Sequence, residues 1–166
     1  MTLTDLRALI SYDDWATERL LGAVSQLSAG QLTTAGSGGS SVQGVVSHIL
    51  AEAWIWLRRC RGEDPAAPPP WAADARPQDL ATAFVEIQRD RAALLAQLDD
   101  GSLDRVLTFT SLEGYVHRHS IGDMLLHGVT HSTYHRGQAT LLLRSVGGTP
   151  VETDFVVYRE ASEGSE

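Results

Sequence analysis

Four long segments of the chain carry apolar residues at helical spacing, and this periodicity restricts the fold more than any other feature of the sequence. They span residues 3–27, 40–62, 77–99 and 120–147. In each segment the apolar side chains recur three or four positions apart, which places them along one face of a helix. Amphipathic helices of this length bury their apolar faces against one another. The sequence therefore predicts an all-α fold, a four-helix bundle with a short β-hairpin before the last long helix.

Capping patterns predict where three of these helices begin. In a capping box, a Ser or Thr side chain and the side chain three residues later each accept a hydrogen bond from the other residue's backbone N–H. The spacing occurs at Thr2 and Asp5, at Ser40 and Gln43, and at Ser120 and Asp123. The second helix is therefore expected to begin at Ser40.

The segments between the predicted helices have the composition of connections within one domain. Residues 28–39 are rich in Gly, Ser and Thr and predict a connection with one short turn around Gln31 and Leu32. Residues 63–77 hold five of the six prolines, so they are expected to pack across the surface with Trp71 as an anchor. With 166 residues the chain is long enough to form one domain, residues 1–166, and to bury a core without disulfides or a structural metal.

Alternating residues predict the hairpin that precedes the last helix. Residues 106–110 alternate in character, a turn is expected at residues 112–114, and residues 115–117 return as the second strand. We expect His117 and His119, at the hairpin and the helix start, to have exposed or capping roles. The tail, residues 150–166, contains an apolar DFVVY patch followed by an acidic end that is expected to fray.

Charge and cysteine content restrict the class of function. The chain has 13 basic and 21 acidic residues and a formal charge of -8, and it lacks a run of Lys or Arg that could follow phosphates. Nucleic acid is therefore not an expected partner, and no apolar run is long enough to span a membrane. Cys60 is the single cysteine and is expected to be a buried apolar residue. The N-terminal residues lack the features of a signal peptide, so we expect a cytoplasmic protein.

Three histidines of the fourth segment recur at intervals of four residues. His127, His131 and His135 therefore form a ridge on one face of a helix. Two imidazoles one turn apart can share a divalent metal ion, which usually needs at least one further protein ligand. His48, at the margin of the apolar stripe of the second helix, is the candidate third ligand, because sites in bundles are built from facing helices. Three histidines would leave one position open for water or substrate, as in a catalytic site.

Several neighbours of these histidines are candidates for supporting roles. Glu52, one turn beyond His48, is a candidate catalytic base or ligand-orienting residue, with a solvated surface role as the alternative. Gln138 lies on the His131 face of the helix and is the second candidate catalytic residue. Arg136 points away and is expected to form a structural ion pair or an interface contact. His127 is the candidate cofactor-binding residue, in the wall of the pocket, because a straight helix rarely presents three successive imidazoles to one ion.

Four stretches of the chain together resemble the DinB family of small metal-binding bundle proteins. They are YDDWATERLL in the first helix, SHILAEAWIW in the second, HGVTHSTYHRGQ in the fourth, and LRSVGGTPVETDFVVYRE at the end. The resemblance covers nearly the whole chain and implies a four-helix bundle with a three-histidine divalent-metal site. Transferred by motif, it places the ligands at His48, His131 and His135, with zinc or nickel as the expected ion.

The resemblance also suggests what such a site does. Related proteins in the wider superfamily include transferases and isomerases that use low-molecular-weight thiols, so metal-dependent activation of such a thiol is the leading hypothesis. Metal-dependent hydrolysis is the alternative, and a non-catalytic metal or small-ligand binding protein in a stress response is a third. Bundles of this family often pair, and we therefore expect a homodimer that acts on a small-molecule substrate.

Overall fold

The computed structural model describes residues 1–36 and 38–163, and it confirms the predicted four-helix bundle with a hairpin before the last long helix. The long helices α1, α3, α4 and α6 form the bundle, in which α3 and α1 each pack against both α4 and α6. No helix in these described ranges is long and apolar enough to cross a membrane. The elements are α1 (Leu3–Val24), α2 (Ala29–Thr33), α3 (Val42–Cys60), α4 (Pro77–Leu95), α5 (Asp100–Leu103), β1 (Val106–Thr110), β2 (Val116–Ser120), α6 (Ile121–Ser145) and α7 (Phe155–Glu163). A short 3₁₀ helix at Pro70–Ala72 lies between α3 and α4.

Helix ends differ from the predicted ones where a neighbouring residue provides a competing cap. The predicted cap at Ser40 is wrong, because α3 is capped by Ser41, whose side chain accepts a hydrogen bond from the backbone N–H of Gly44. α1 and α4 both end earlier than predicted. Ser28 and Asp99 instead cap the short helices α2 and α5 that follow. A capping residue at the edge of a periodic segment thus begins a new short helix, and the last residues of the segment lie outside the long helix.

The tail forms a helix that the sequence analysis did not predict. α7 packs against α1, where the ring of Tyr158 lies 5.9 Å from that of Tyr12 and 5.6 Å from that of Trp15. These aromatic contacts stabilise a segment whose sequence indicates only an apolar patch. The last part of the predicted frayed end, residues 164–166, lies outside the described residues.

Two clusters of buried apolar side chains fill the bundle. On α4 and on α6, one buried arginine lies between the residues of the first cluster and those of the second. Arg91 on α4 and Arg136 on α6 lie at these positions, and both form ion pairs with Asp13 of α1. Arg136 is only 1% exposed. The buried ion pairs therefore fix the position of α6 relative to α1 at the level where the histidines occur.

The hairpin closes one end of the space between α3 and α6. β1 and β2 are antiparallel, with Phe109 opposite His117. The turn between them contains Gly114 at a φ of 88°, a backbone conformation that favours glycine. A backbone hydrogen bond of 3.1 Å from the N–H of Ile121 to the carbonyl of Arg105 joins the base of the hairpin to the start of α6.

Candidate metal centre

Three histidines from two facing helices meet at one point of the bundle. His48 belongs to α3, and His131 and His135 lie one turn apart on α6. Further along α3, the ring of Trp56 faces that of His127, so residue numbers rise on α3 while they fall on α6. The two helices therefore run in opposite directions, so that later residues of α3 face earlier residues of α6.

The three imidazoles have a spacing that suits a divalent ion. The Nε2 atom of His48 lies 3.2 Å from Nε2 of His135 and 3.1 Å from Nε2 of His131. A tetrahedral zinc ion with bonds of 2.0 to 2.1 Å places its ligand nitrogens about 3.3 Å apart. Among the described residues, these three form a group whose ligand atoms lie within 4.8 Å of one another. The donor set and its spacing thus fit a metal ion.

Hydrogen bonding alone does not account for this arrangement. Nε2 of His48 carries either one proton or one lone pair, so it can form one linear N–H···N hydrogen bond and not two. Burial and the neighbouring imidazoles lower the pKa of His131 to about 4, and burial followed by His135 lowers the pKa of His48. These groups are therefore neutral near pH 7, which is the form that binds metal.

Gln138 contacts the third histidine from outside the cluster. Its Oε1 atom lies 2.7 Å from Nδ1 of His135. An amide oxygen accepts a hydrogen bond, so Nδ1 carries the proton and Nε2 keeps its lone pair. The candidate catalytic residue Gln138 therefore lies where it can set the tautomer and orientation of His135.

Arg136, between these residues in sequence, points into the protein core. Its guanidinium donates to Oδ1 of Asp13 at 2.5 Å and to Oγ1 of Thr133 at 2.8 Å, and it lies over the ring of Tyr12. The predicted structural ion pair is thus present. It keeps Arg136 away from the histidines.

Glu52 and His127 lie next to the three-histidine group. Glu52 accepts a hydrogen bond of 3.0 Å from the indole Nε1 of Trp56, and the ring of Trp56 lies 4.5 Å from that of His127. The rings of His127 and His131 are 5.3 Å apart. Burial lowers the pKa of His127 as well. His127 thus borders the three-histidine group.

A cavity of about 450 Å³ begins at Glu52 and His127 and extends away from the histidine group. Its volume is within the range of small-molecule sites. The far wall contains Arg59 of α3 and the hairpin residues Phe109, His117 and His119. The structure therefore places a cavity that is partly open to solvent beside the candidate metal centre.

The sequence predicts other roles for two residues of this wall, His117 and His119, which are expected to be exposed or to cap a helix. His119 is exposed, whereas His117 is half-buried. Neither caps the following helix, because the cap is Ser120, and both rings pack near Phe109, at 5.6 and 5.9 Å. The signal was their spacing of two, which places both on one face of a strand. No pattern in the sequence identifies Arg59 as a residue of the cavity wall, because its burial depends on the packing of the hairpin against α3.

Comparisons with known proteins agree with this architecture. The model of the DinB family matches residues 1–166. The protein DinB of Bacillus subtilis (strain 168) is 24% identical over 163 residues, which cover 90% of this chain and 91% of that protein. Two solved structures share the fold. A DinB-like protein of Bacillus cereus ATCC 10987 has a TM-score of 0.71 at 18% identity, covering 91% of this chain and 97% of that one. YfiT of Bacillus subtilis, described as a probable metal-dependent hydrolase with an unusual four-helix bundle topology, has a TM-score of 0.69 at 21% identity, covering 90% and 91%.

Proposed function

The chain belongs to the DinB family, and from this premise we propose that it is a divalent-metal-dependent enzyme that activates water for hydrolysis at its three-histidine site. The observation that carries this proposal is the convergence of three Nε2 atoms from facing helices, 3.1 to 3.2 Å apart about His48. The description of YfiT as a probable metal-dependent hydrolase supports the reaction class.

His48, His131 and His135 would hold the ion, for which zinc and nickel both suit imidazole ligands. When bound, such an ion supplies Lewis-acid chemistry and lowers the pKa of water or a thiol at an open position. Gln138 would keep Nε2 of His135 directed at the ion through its contact with Nδ1. His127 would border the place where the ion and the substrate meet.

Glu52 is the residue that we propose as the general base. Its carboxylate is fixed by the indole N–H of Trp56 and borders the cavity one turn from His48. A fixed carboxylate in this position can accept a proton from a nucleophile and later donate it to a leaving group. Glu52→Gln keeps the side-chain shape and removes the base, so it should lower activity about 100-fold or more while bound metal is retained.

Thiol transfer is the second candidate function. The same open position would activate a low-molecular-weight thiol, and the cavity of about 450 Å³ is large enough for a thiol substrate together with part of an electrophile. The two candidates differ in the nucleophile and not in the residues that hold the ion.

One set of measurements tests both. Purified protein loaded with zinc or nickel is assayed for hydrolysis of simple esters and amides, and for addition of cysteine or glutathione to an electrophile. His48→Ala, His131→Ala and His135→Ala should each lose most bound metal and activity, whereas His127→Ala should retain metal. Hydrolysis supports the proposal, and thiol addition without hydrolysis replaces it with the second candidate. Full metal content in His48→Ala contradicts the site itself.

A further inference from the structure

Arg59 is a buried cation on which the carboxylates of Glu52, Asp64 and Glu113 act only from beyond ion-pairing distance. It is 5% exposed, and its guanidinium carbon lies 4.6 Å from the ring centre of Trp56 and 4.4 Å from that of Phe109. Its Nε atom is buried without a hydrogen-bond partner. None of the ion pairs found among the described residues includes Arg59. A buried guanidinium is usually paired with a carboxylate, as Arg136 is with Asp13.

A buried guanidinium that packs against aromatic rings and has no carboxylate within ion-pairing distance can bind an anion. Burial of an unpaired charge is costly, and contacts with two aromatic faces recover only part of that cost. The centres of the two rings are only 5.4 Å apart and their planes meet at 86°, so both rings cover the same side of the guanidinium and leave its edge as the place for hydrogen bonds. That edge carries parallel N–H groups, which match the two oxygens of a carboxylate.

The cavity gives this edge access to a ligand. Arg59 lines the same cavity of about 450 Å³ that begins at Glu52 and His127. Its α carbon lies about 16 Å along the helix axis from that of His48, and its side chain leans back over Trp56. A ligand bound at Arg59 can therefore extend to the metal centre, with its anionic group on the order of 10 Å from the reacting group.

We propose that the cavity is the substrate-binding site and that Arg59 binds a carboxylate group of the substrate, an assignment that rests on the proposed function of the adjacent metal centre. Glu52, Glu113 and Asp123 line the same cavity. Their negative charges oppose a polyanion more strongly than a single carboxylate, so phosphate esters are excluded as the preferred class. The aromatic wall formed by Trp56 and Phe109 suits an apolar chain between the carboxylate and the reacting group.

The test compares two probes that differ only in charge, 4-phenylbutyrate and 4-phenylbutanamide, by isothermal titration calorimetry. Because a carboxylate can also bind a metal ion, the titrations use full-length protein in EDTA and are repeated with zinc. In EDTA the acid should bind about 10- to 100-fold more tightly than the amide, as expected for a charge-assisted hydrogen bond. Arg59→Gln should abolish this preference.

Arg118→Gln is the matched control. Arg118 is exposed on β2 between the two cavity histidines, and alternation along the strand directs it to the opposite face. This variant should keep the preference of the wild-type protein. Arg59→Lys keeps the charge without the planar fork and should keep part of the preference, and circular dichroism verifies the fold of each variant.

The outcomes separate this proposal from that of the metal centre. Equal binding of acid and amide to the wild-type protein overturns it, whatever the variants do. A preference that appears only with zinc, or that survives Arg59→Gln, places the carboxylate elsewhere and also overturns it. Tighter binding of phenyl phosphate than of 4-phenylbutyrate contradicts the carboxylate class. Absence of metal binding would refute the metal centre, yet the preference in EDTA would still establish the role of Arg59.

Discussion

Replacing Asp13 with Asn tests the buried ion pairs that fix α6 against α1. Asp13 is 3% exposed, and its carboxylate accepts hydrogen bonds from Arg136 at 2.5 Å and from Arg91 at 3.2 Å. Asn has nearly the same shape, so the change removes the charge without opening a cavity. Arg136 would then be a cation buried without an anionic partner, whereas Arg91 also pairs with Asp14.

The expected loss follows from this difference between the two arginines. Breaking a buried ion pair by removing one partner costs about 3 to 5 kcal/mol. Because Arg91 keeps one carboxylate, we expect a value near the lower limit, about 3 kcal/mol. For a chain of this size each kcal/mol corresponds to a Tm decrease of about 2 to 4 °C. The Tm of Asp13→Asn should therefore fall by about 6 to 12 °C.

Urea and thermal unfolding of the metal-free protein, followed by circular dichroism, measure this loss. The control is Asp90→Asn, because Asp90 pairs with Arg89 and Arg61 at the surface, where a pair contributes about 0 to 1 kcal/mol. If Asp13→Asn is destabilised no more than this control, the buried pairs do not hold α6, and the reasoning fails.

Three further predictions concern the metal centre and the surface. Gln138→Leu should weaken metal binding by about 10- to 100-fold in chelator competition. Gln138→Glu keeps a hydrogen-bond acceptor and should bind metal nearly as tightly as the wild type. If Gln138→Leu binds metal as tightly as the wild type, Gln138 does not position His135. The pKa of His131 is lowered from 6.5 to about 4, so between these values the unfolded chain binds more protons than the folded metal-free protein. The free energy of unfolding of the metal-free protein should therefore fall as the pH falls through this window. Urea unfolding at a series of pH values measures this dependence in the wild type and in His131→Gln. If both proteins lose the same free energy of unfolding over the window, the dependence does not come from His131. Tyr134 and Leu141 of α6 are 67% and 64% exposed, and we propose that they contact a second copy of the chain; light scattering that shows only the 18.0 kDa species at micromolar concentration would contradict a homodimer.

The bundle was predictable because its signals are local. The spacing of apolar residues predicts each long helix, and the box at Thr2 and Asp5 identifies the start of α1. The same reasoning failed at Ser40, since two adjacent serines offer equivalent caps and only the backbone geometry distinguishes Ser41. Sequence spacing also gave the pair His131 and His135, whereas His48 depended on the prediction that α3 and α6 face each other.

The cavity was not predictable in the same way, because its wall depends on contacts between distant segments. Arg59 is in the last turn of α3, a position where a basic side chain usually meets solvent and the helix dipole. It is buried because Phe109 of the hairpin covers it. No spacing rule relates these two residues, which are separated by an entire helix in the chain.

The hydrogen bond between Ile121 and Arg105 closes the base of the hairpin, next to the start of α6. The chain leaves the bundle and returns to it at this closed base, so residues added at the turn would not shift the register of α6. Phe109, His117 and His119 occur on the hairpin, whereas the three clustered histidines occur on the long helices. On the proposed role of the cavity, exchange of this hairpin should change the selectivity for the ligand. The three histidines stay on the helices, so the variant should keep its affinity for metal.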